Sequence, residues 1–308
     1  MGKIFFLGVP GGISRTQTMR NASITPSFAD DVALRHSVAD GWTLCTLVGI
    51  EGSFSRRLGA QLAIGPDGTL AGSLADGCLE QQLVSEAKTA CAAGAPILKR
   101  FGAGSSVIDF QLPCGSGLDI LIDPAPDQPS LTRTIDALDN RKPAELGLPL
   151  PANAPASLLQ KRLYKPALRL LIFGEGPELE QLRALALSCE FDTVSFDRRD
   201  PQQLALGQKP QAVSDPQSAI VLLFHDHEWE RSILEWALEN PGFYLGAQGG
   251  QIARQNRLEM LQDRGYSAQA LTRIRSPIGL IPHSRDPAIL ALSVLAEVVA
   301  QYEQQQTS

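Results

Sequence analysis

Short apolar stretches bounded by glycine, proline and polar residues fill the front half of the chain. Stretches of this length and spacing are typical of β-strands joined by turns. They predict strands at residues 42–50, 60–65, 69–74, 96–101, 106–112 and 117–123, with helices at 27–41 and 79–93. Residues 1–25 show no clear periodicity. The pattern indicates an α/β domain over residues 1–125.

The rear half opens with a continuous apolar run, Leu168–Phe173, of the kind needed by a strand buried on both faces. Strands and helices then alternate. We predict strands at 193–197, 219–224 and 243–246, and helices at 178–189, 228–239, 249–263 and 286–302. This alternation is typical of a parallel sheet with helices on both faces. Residues 167–308 are therefore predicted to form a Rossmann-like, doubly wound domain, so that the fold class is α/β throughout.

Between the two domains, the composition shifts to proline and alanine. Proline cannot donate to a helix or sheet ladder, so a proline-rich stretch favours an extended connection. We predict a linker over residues 126–166, with a helix at 130–140 and one edge strand near 157–164.

Composition narrows the possible partners. The chain has 308 residues, 44% of them hydrophobic, which suits two compact domains. A net charge of −6 argues against a nucleic-acid surface, which needs a basic excess. Apolar runs stay well below the roughly 20 residues of a membrane helix. A cytoplasmic protein is therefore expected, without a nucleic-acid or membrane partner.

Cysteine usage indicates free thiols. The 5 cysteines are widely spaced, and none forms a Cys-x-x-Cys pair, so the sequence favours neither a disulfide framework nor a zinc site. Cys78 and Cys114 each adjoin a glycine on a loop, where a thiol is accessible. Because soft thiolates suit sulfur-loving metals, these two cysteines are candidate metal contacts. The alternative is that both are small buried residues near turns.

Two glycine-punctuated loops carry the main candidate site of the front half. The first follows a strand and contains Ser53, an Arg-Arg pair and Gly59, so it offers cations and a flexible backbone. The second ends in Gly77-Cys78 and opens a helix. If both loops meet at one end of a small sheet, Ser53, Arg57 and Cys78 lie beside a helix N-terminus, which favours an anion.

A glycine turn in the rear half resembles a dinucleotide-binding fingerprint. Gly174 and Gly176 follow the apolar strand, and Asp197 ends the next strand, where it could hold a ribose hydroxyl. The third small residue of the fingerprint is replaced by Leu179, and acidic residues crowd the start of the helix. NAD(P) binding is therefore the weaker interpretation, and a tight turn that packs helix against strand is the stronger one.

The segment His225-Asp226-His227-Glu228 follows the strand at 219–224, at the edge where doubly wound sheets bind ligands. Its side chains are possible metal ligands. However, residues at i and i+2 of a strand end point to opposite sides, so they cannot all share one ion. The alternative is that Asp226 caps the next helix while His225 hydrogen-bonds locally.

These motifs together resemble the XdhC/CoxI family, the accessory proteins of xanthine dehydrogenase and related molybdenum hydroxylases. The similarity covers residues 42–124 and 168–302. The chain departs from the family pattern at several positions. It has Ser55 in place of a proline, Asp76 and Ser116 in place of glycines, and Gly-Gly-Gln-Ile in place of Gly-Ser-Arg-Arg. The motifs that carry it are Glu51-Gly52-Ser53, Gly77-Cys78, Cys114-Gly115, Tyr244–Gly250 and Ile274–Leu280.

The resemblance implies an α/β XdhC-type domain followed by a Rossmann-like domain, and an accessory chaperone rather than an enzyme. Its cargo would be the molybdenum cofactor, molybdopterin. The implied partners are an apo molybdenum hydroxylase of the xanthine dehydrogenase type, a cysteine desulfurase, a cofactor nucleotidyltransferase and a second copy of the chain. The implied cofactor-binding residues are Ser53, Arg57, Gly59, Gly77, Cys78, Cys114, Gly174, Gly176, Asp197, His225, Asp226 and Gly246, with Cys78 and Cys114 as molybdenum contacts.

Two other functions stay open from the sequence. One is an NAD(P)-dependent oxidoreductase that uses the Rossmann-like domain, and the other is a scaffold that binds only proteins.

Overall fold

The structure is a computed structural model that describes residues 31–74, 77–105 and 115–306. The first domain contains helix α1 and a sheet of short strands. In chain order its elements are α1 (Val32–His36), β1 (Thr43–Glu51), β2 (Gln61–Ile64), β3 (Leu70–Gly72), α2 (Gly77–Ala93), β4 (Ile97–Gly102), β5 (Gly117–Asp123), α3 (Gln128–Asp139), β6 (Ala144–Gly147) and β7 (Lys161–Tyr164).

A 5-stranded sheet of order β3-β2-β1-β5-β4 forms the core of the first domain, with antiparallel pairing throughout. One face packs against α2, whose Leu79, Leu83 and Ala87 recur at helical spacing. Such spacing places the apolar side chains on one stripe of the helix, facing the sheet. The loops that leave β1 and enter α2 are therefore held by a packed core.

The opposite face of this sheet is covered by the segment predicted to be a linker. Leu131 and Leu138 of α3, Leu146 of β6 and Tyr164 of β7 are buried in one cluster with residues of the sheet. The Tyr164 hydroxyl also lies 2.5 Å from the side-chain oxygen of Gln61. Residues 128–164 thus pack on the first domain, because their apolar spacing outweighs the many prolines between them.

The second domain is a 5-stranded parallel sheet of order β12-β11-β10-β8-β9. Its two faces carry separate hydrophobic clusters, one under α4 and α8 and one under α5 and α6. The prediction of a doubly wound, Rossmann-like sheet is confirmed. In chain order the elements are β8 (Arg169–Gly174), α4 (Gly176–Ser188), β9 (Asp192–Asp197), β10 (Ser218–Leu223), α5 (Glu230–Glu239), β11 (Tyr244–Ala247), α6 (Gln251–Asp263), α7 (Ala268–Leu271), β12 (Ile274–Arg275) and α8 (Pro287–Gln306).

Helix α8 runs antiparallel to the strands. Near its start, the carbonyl of Ser293 accepts from the backbone N–H of Leu280, beyond the carboxyl end of β12. Near its other end, the ring of Tyr302 packs 5.6 Å from that of Phe243, which precedes β11. The last turns of α8 therefore lie at the amino ends of the strands.

The contacts that the structure shows between the two domains lie at this amino end. Arg57 forms an ion pair with Glu303, near the end of α8. Arg141, which follows α3, contacts Asp192 at the start of β9 and Asp215 before β10. The first domain is thus docked on the amino ends of the parallel strands.

Most element predictions agree with the structure within a few residues, with the following differences. The helix predicted to begin near Ser27 is described only from Val32 and ends at His36. Strands β6 and β12 and helix α7 were not predicted. The strand predicted at 106–112 lies outside the described residues. Among the helices of the described ranges, none is both long and apolar enough to cross a bilayer.

Candidate functional site

The loop after β1 folds back onto its own strand. Gly52 and Gly59 both have positive φ, 85° and 87°. The backbone N–H of Gly59 donates to the carbonyl of Leu47 at 2.8 Å. A β-carbon at Gly59 would come within 2.9 Å of the Arg162 side chain. The positive φ favours glycine at both positions, and the turn exposes four of the six residues between them while Phe54 and Arg56 stay half-buried.

A chain of hydrogen bonds joins this loop, through Ser73, to the start of α2. Arg56 donates to the hydroxyl of Ser73 at 3.2 Å, and that hydroxyl donates to Glu80 at 3.2 Å. Glu80 also accepts from the backbone N–H of Leu74 at 3.1 Å. The structure thus brings the two front loops together. The contact is made by Arg56, the first residue of the Arg-Arg pair. Only the second residue of that pair, Arg57, was predicted to belong to the site.

The predicted front residues occupy different positions around this junction. Ser53 is exposed, and its carbonyl accepts from the hydroxyl of Ser116. Arg57 points to the second domain, where it pairs with Glu303. Gly77 opens α2 with free space around its α-carbon, and Cys78 beside it is exposed. Cys114 lies outside the described residues. The junction therefore presents the Cys78 thiol to solvent and holds the half-buried Arg56, whereas Arg57 is paired with the second domain.

In the second domain, two of the predicted glycines are explained by packing. A β-carbon on Gly174 would lie 2.5 Å from the carbonyl oxygen of Leu223, and one on Gly246 would lie 2.6 Å from the ring of Tyr244. Real β-carbons do not approach other atoms so closely, so both positions require glycine whether or not a ligand binds. Gly176 has φ 70° and begins α4, and Leu179 behind it is buried.

Ion pairs occupy the surface around Gly176 and Asp197. Arg198 pairs with Glu175 and lies 3.6 Å from Asp226. Arg199 donates to Asp197 and, at 2.9 Å, to Glu180. The hydrogen bond from Arg199 lowers the pKa of Asp197 despite the opposing effect of burial. Both arginines that could meet a phosphate are already neutralised, so this edge is unsuited to a pyrophosphate.

The histidines nearby do not form a metal site in the described part of the chain. His225 lies 3.5 Å from Glu178, whereas His227 lies 3.0 Å from Glu230. Asp226 accepts from the backbone N–H of Glu228 at 3.0 Å, which makes a turn. The residues point to separate partners, as expected from their positions after a strand. This geometry agrees with local hydrogen bonding rather than shared metal ligation.

A buried ion pair holds the loops at the carboxyl ends of β10, β11 and β12. Arg257 and Glu230 are 2% and 0% exposed, and the guanidinium donates to both carboxylate oxygens at 2.6 and 2.8 Å. The same guanidinium donates to the hydroxyl of Ser276 at 2.9 Å and to the carbonyl of Gln248. One side chain thus ties three loops together. From the sequence, only a helix at 249–263 was predicted here, and neither Arg257 nor Glu230 was a candidate residue.

The front junction and the rear edge lie at opposite ends of the second sheet. Arg57 contacts the amino-end side through Glu303. Gly174 and Asp197 are the last residues of their strands, and His225 lies just beyond the carboxyl end of β10. A six-residue strand spans roughly 20 Å. Within one chain, the structure therefore does not bring the two groups of predicted residues together around one ligand.

Comparisons with known proteins bear on the whole chain. Residues 170–298 match the family described as the XdhC Rossmann domain, and residues 38–102 match the XdhC and CoxI family. The chain is 34% identical over 271 residues to the molybdenum cofactor insertion chaperone PaoD of Escherichia coli (strain K12), covering 84% of this chain and 83% of that protein.

Two further likenesses cover different shares of the chain. A probable xanthine dehydrogenase component of Bacillus subtilis (strain 168) is 26% identical over 149 residues, which cover 44% of this chain and 43% of that protein. A crystal structure of a xanthine dehydrogenase from Bacillus halodurans superposes with a TM-score of 0.69 at 21% identity, over 90% of this chain and 96% of that one. The second likeness supports the two-domain fold.

Proposed function

The chain belongs to the XdhC and CoxI family, and from this membership we propose that it binds the molybdenum cofactor and inserts it into a molybdenum hydroxylase of the xanthine dehydrogenase type. The observation that carries the proposal is the 34% identity to an insertion chaperone over 83% of that protein's length. This description of the relative also agrees with an accessory protein rather than an enzyme.

The junction of the front loops is the better place for the cargo. A molybdopterin cargo presents a phosphate, sulfur ligands and a metal centre. Arg56 donates to a serine hydroxyl, and Arg57 is exposed but paired with Glu303, so an anion bound by Arg57 would have to replace that ion pair. The N–H groups at the start of α2 and the exposed Cys78 thiol are nearby in sequence. Charge-assisted bonds and soft sulfur contacts are what such a cargo needs.

In this proposal Ser53, Arg57, Gly59, Gly77 and Cys78 form the cargo site, and Cys114 stays a predicted contact. Of the second-domain residues, Gly174 and Gly246 serve packing, because a side chain there would collide with neighbouring atoms. Asp197, His225 and Asp226 lie in a network of ion pairs and stay predictions for a separate contact.

The remaining steps follow from the same proposal. A cysteine desulfurase supplies the terminal sulfur while the chaperone shields the cofactor, and a nucleotidyltransferase provides any nucleotide form of it. The chaperone then docks on the apo hydroxylase in the cytoplasm, as a homodimer. Transfer between two proteins requires reversible contacts, so a modest interface is expected.

Anaerobic purification followed by molybdenum and pterin analysis tests the proposal. We expect Cys78→Ser and Arg57→Ala to retain roughly tenfold less cofactor than the wild type, since a charge-assisted contact is worth about 1.5–3 kcal/mol. Cys189→Ser is the matched control, because Cys189 is also exposed but lies in the second domain. A wild type without cofactor, together with calorimetric binding of NADH, contradicts the proposed function. Equal retention by all variants contradicts only the site.

A further inference from the structure

Arg141 occupies a backbone position that normally suits glycine. It follows the C-terminus of α3 with φ 55°, in the left-handed region. Its N–H donates to Leu138 at 2.9 Å, and the N–H of Lys142 donates to Ala137 at 2.8 Å. This pair of bonds is the Schellman motif, in which the left-handed residue is usually glycine. A non-glycine residue there is strained, and such strain persists only where the surrounding structure compensates for it.

The side chain of Arg141 reaches across to the second domain. Its guanidinium donates to the carbonyl of Ala167 at 2.9 Å, to Asp215 Oδ1 at 3.2 Å and to Asp192 Oδ2 at 3.3 Å. The side chains of Arg141 and Asp215 are only 17% and 13% exposed. This is a multi-point contact of a planar guanidinium, unlike the exposed pair of Arg57 and Glu303.

The partners of Arg141 are themselves fixed. Asp215 accepts from the backbone N–H of Gln217 at 2.7 Å and from the hydroxyl of Ser218 at 3.2 Å, just before β10. Asp192 accepts from Arg169 at 2.8 Å, at the start of β8. Burial alone would raise the pKa of Asp215, but the Arg141 guanidinium brings it below the ordinary value, so the pair is charged at neutral pH.

We propose that Arg141 is an interdomain latch that fixes the first domain on the amino ends of the parallel strands. It connects the end of α3 to the connection before β8 and to the starts of β9 and β10. The latch thereby sets where the loop of residues 53–59 stands against the end of α8. The role of Arg141 in the domain arrangement does not depend on whether the protein binds the molybdenum cofactor.

Arg141→Gly in the full-length chain separates a latch from a local helix cap. Glycine suits the left-handed position, so α3 should keep or improve its cap. We expect the radius of gyration measured by small-angle X-ray scattering to increase. We also expect amide exchange to rise on the order of tenfold in residues 299–304, far from the substitution, because exchange reports the population of the open form. Exchange in α3 should not rise.

Asp215→Asn breaks the same contact from the other domain and leaves the α3 cap untouched, so it should open the seam in the same way. Arg133→Ala is the control, since Arg133 is exposed on α3 and bonds to Ser130 of its own helix. The latch is refuted if Arg141→Gly and Asp215→Asn both keep the wild-type radius and remote exchange. It is also refuted if exchange rises in α3 alone, because Arg141 then acts as a cap.

Discussion

Replacing Arg257 by leucine should be among the most damaging single changes in the second domain. The substitution removes both hydrogen bonds to the buried Glu230 carboxylate, together with those to Ser276 and Gln248. It leaves a fully buried carboxylate without its cation. Breaking a buried pair by removing one partner costs about 3–5 kcal/mol, and we expect a loss of that size in the free energy of unfolding.

Urea unfolding followed by the fluorescence of Trp229 and Trp236, which lie at the start of and within α5, measures this loss. Arg254→Leu is the matched control, since Arg254 lies one turn earlier on α6 and is exposed. Its effect should stay within about 0.5 kcal/mol. The double variant Arg257→Leu, Glu230→Leu should regain much of the loss, because apolar residues replace a buried pair at little net cost.

A loss below about 1 kcal/mol, or a double variant less stable than the single one, would refute this account of the pair.

Three further outcomes are expected. Burial raises the pKa of Asp123, so its ionisation at neutral pH disfavours the folded state. Asp123→Asn should therefore raise the melting temperature at pH 7, and the gain should vanish as the pH falls below the ordinary value of 3.8. Gly174→Ala should cost about 2–3 kcal/mol in urea unfolding because its β-carbon meets the Leu223 carbonyl, whereas Gly147→Ala, with open space around it, should be nearly neutral. Because Arg141 lowers the pKa of Asp215, the contribution of the latch to stability is present above pH 3.8 and is lost as the pH falls through the lowered pKa. X-ray scattering of the wild type should therefore show expansion only in strong acid. Asp215→Asn lacks this carboxyl and should show no such acid-dependent expansion.

The sequence was most informative where local patterns determine local structure. The run Leu168–Phe173 predicted a strand buried on both faces, and it corresponds to β8, which pairs with β10 on one side and β9 on the other. The two glycine-punctuated loops were also predicted to meet, and they do so through Arg56 and Ser73. In both cases the responsible interactions are short-range or follow from burial of one continuous segment.

The sequence was less informative where a structural feature is caused by contact between residues far apart in the chain. Prolines suggested an extended linker, but Leu131 and Tyr164 bury themselves against the first sheet, a pairing that no local pattern contains. The sequence favoured a tight packing turn at Gly174 but could not name the contact that requires it, which is the carbonyl of Leu223 on a neighbouring strand. The latch is of the same kind, since Arg141 and Asp215 are 74 positions apart.

Docking of the first domain on the amino ends of the strands has a kinetic consequence. A protein that approaches the carboxyl ends of β8, β10 and β11 meets a surface that the first domain does not cover, because the interdomain contacts at Arg57 and Arg141 lie at the amino ends. Its encounter with that surface requires no prior separation of the domains, so the association rate should be set by diffusion and charge rather than by a gating motion.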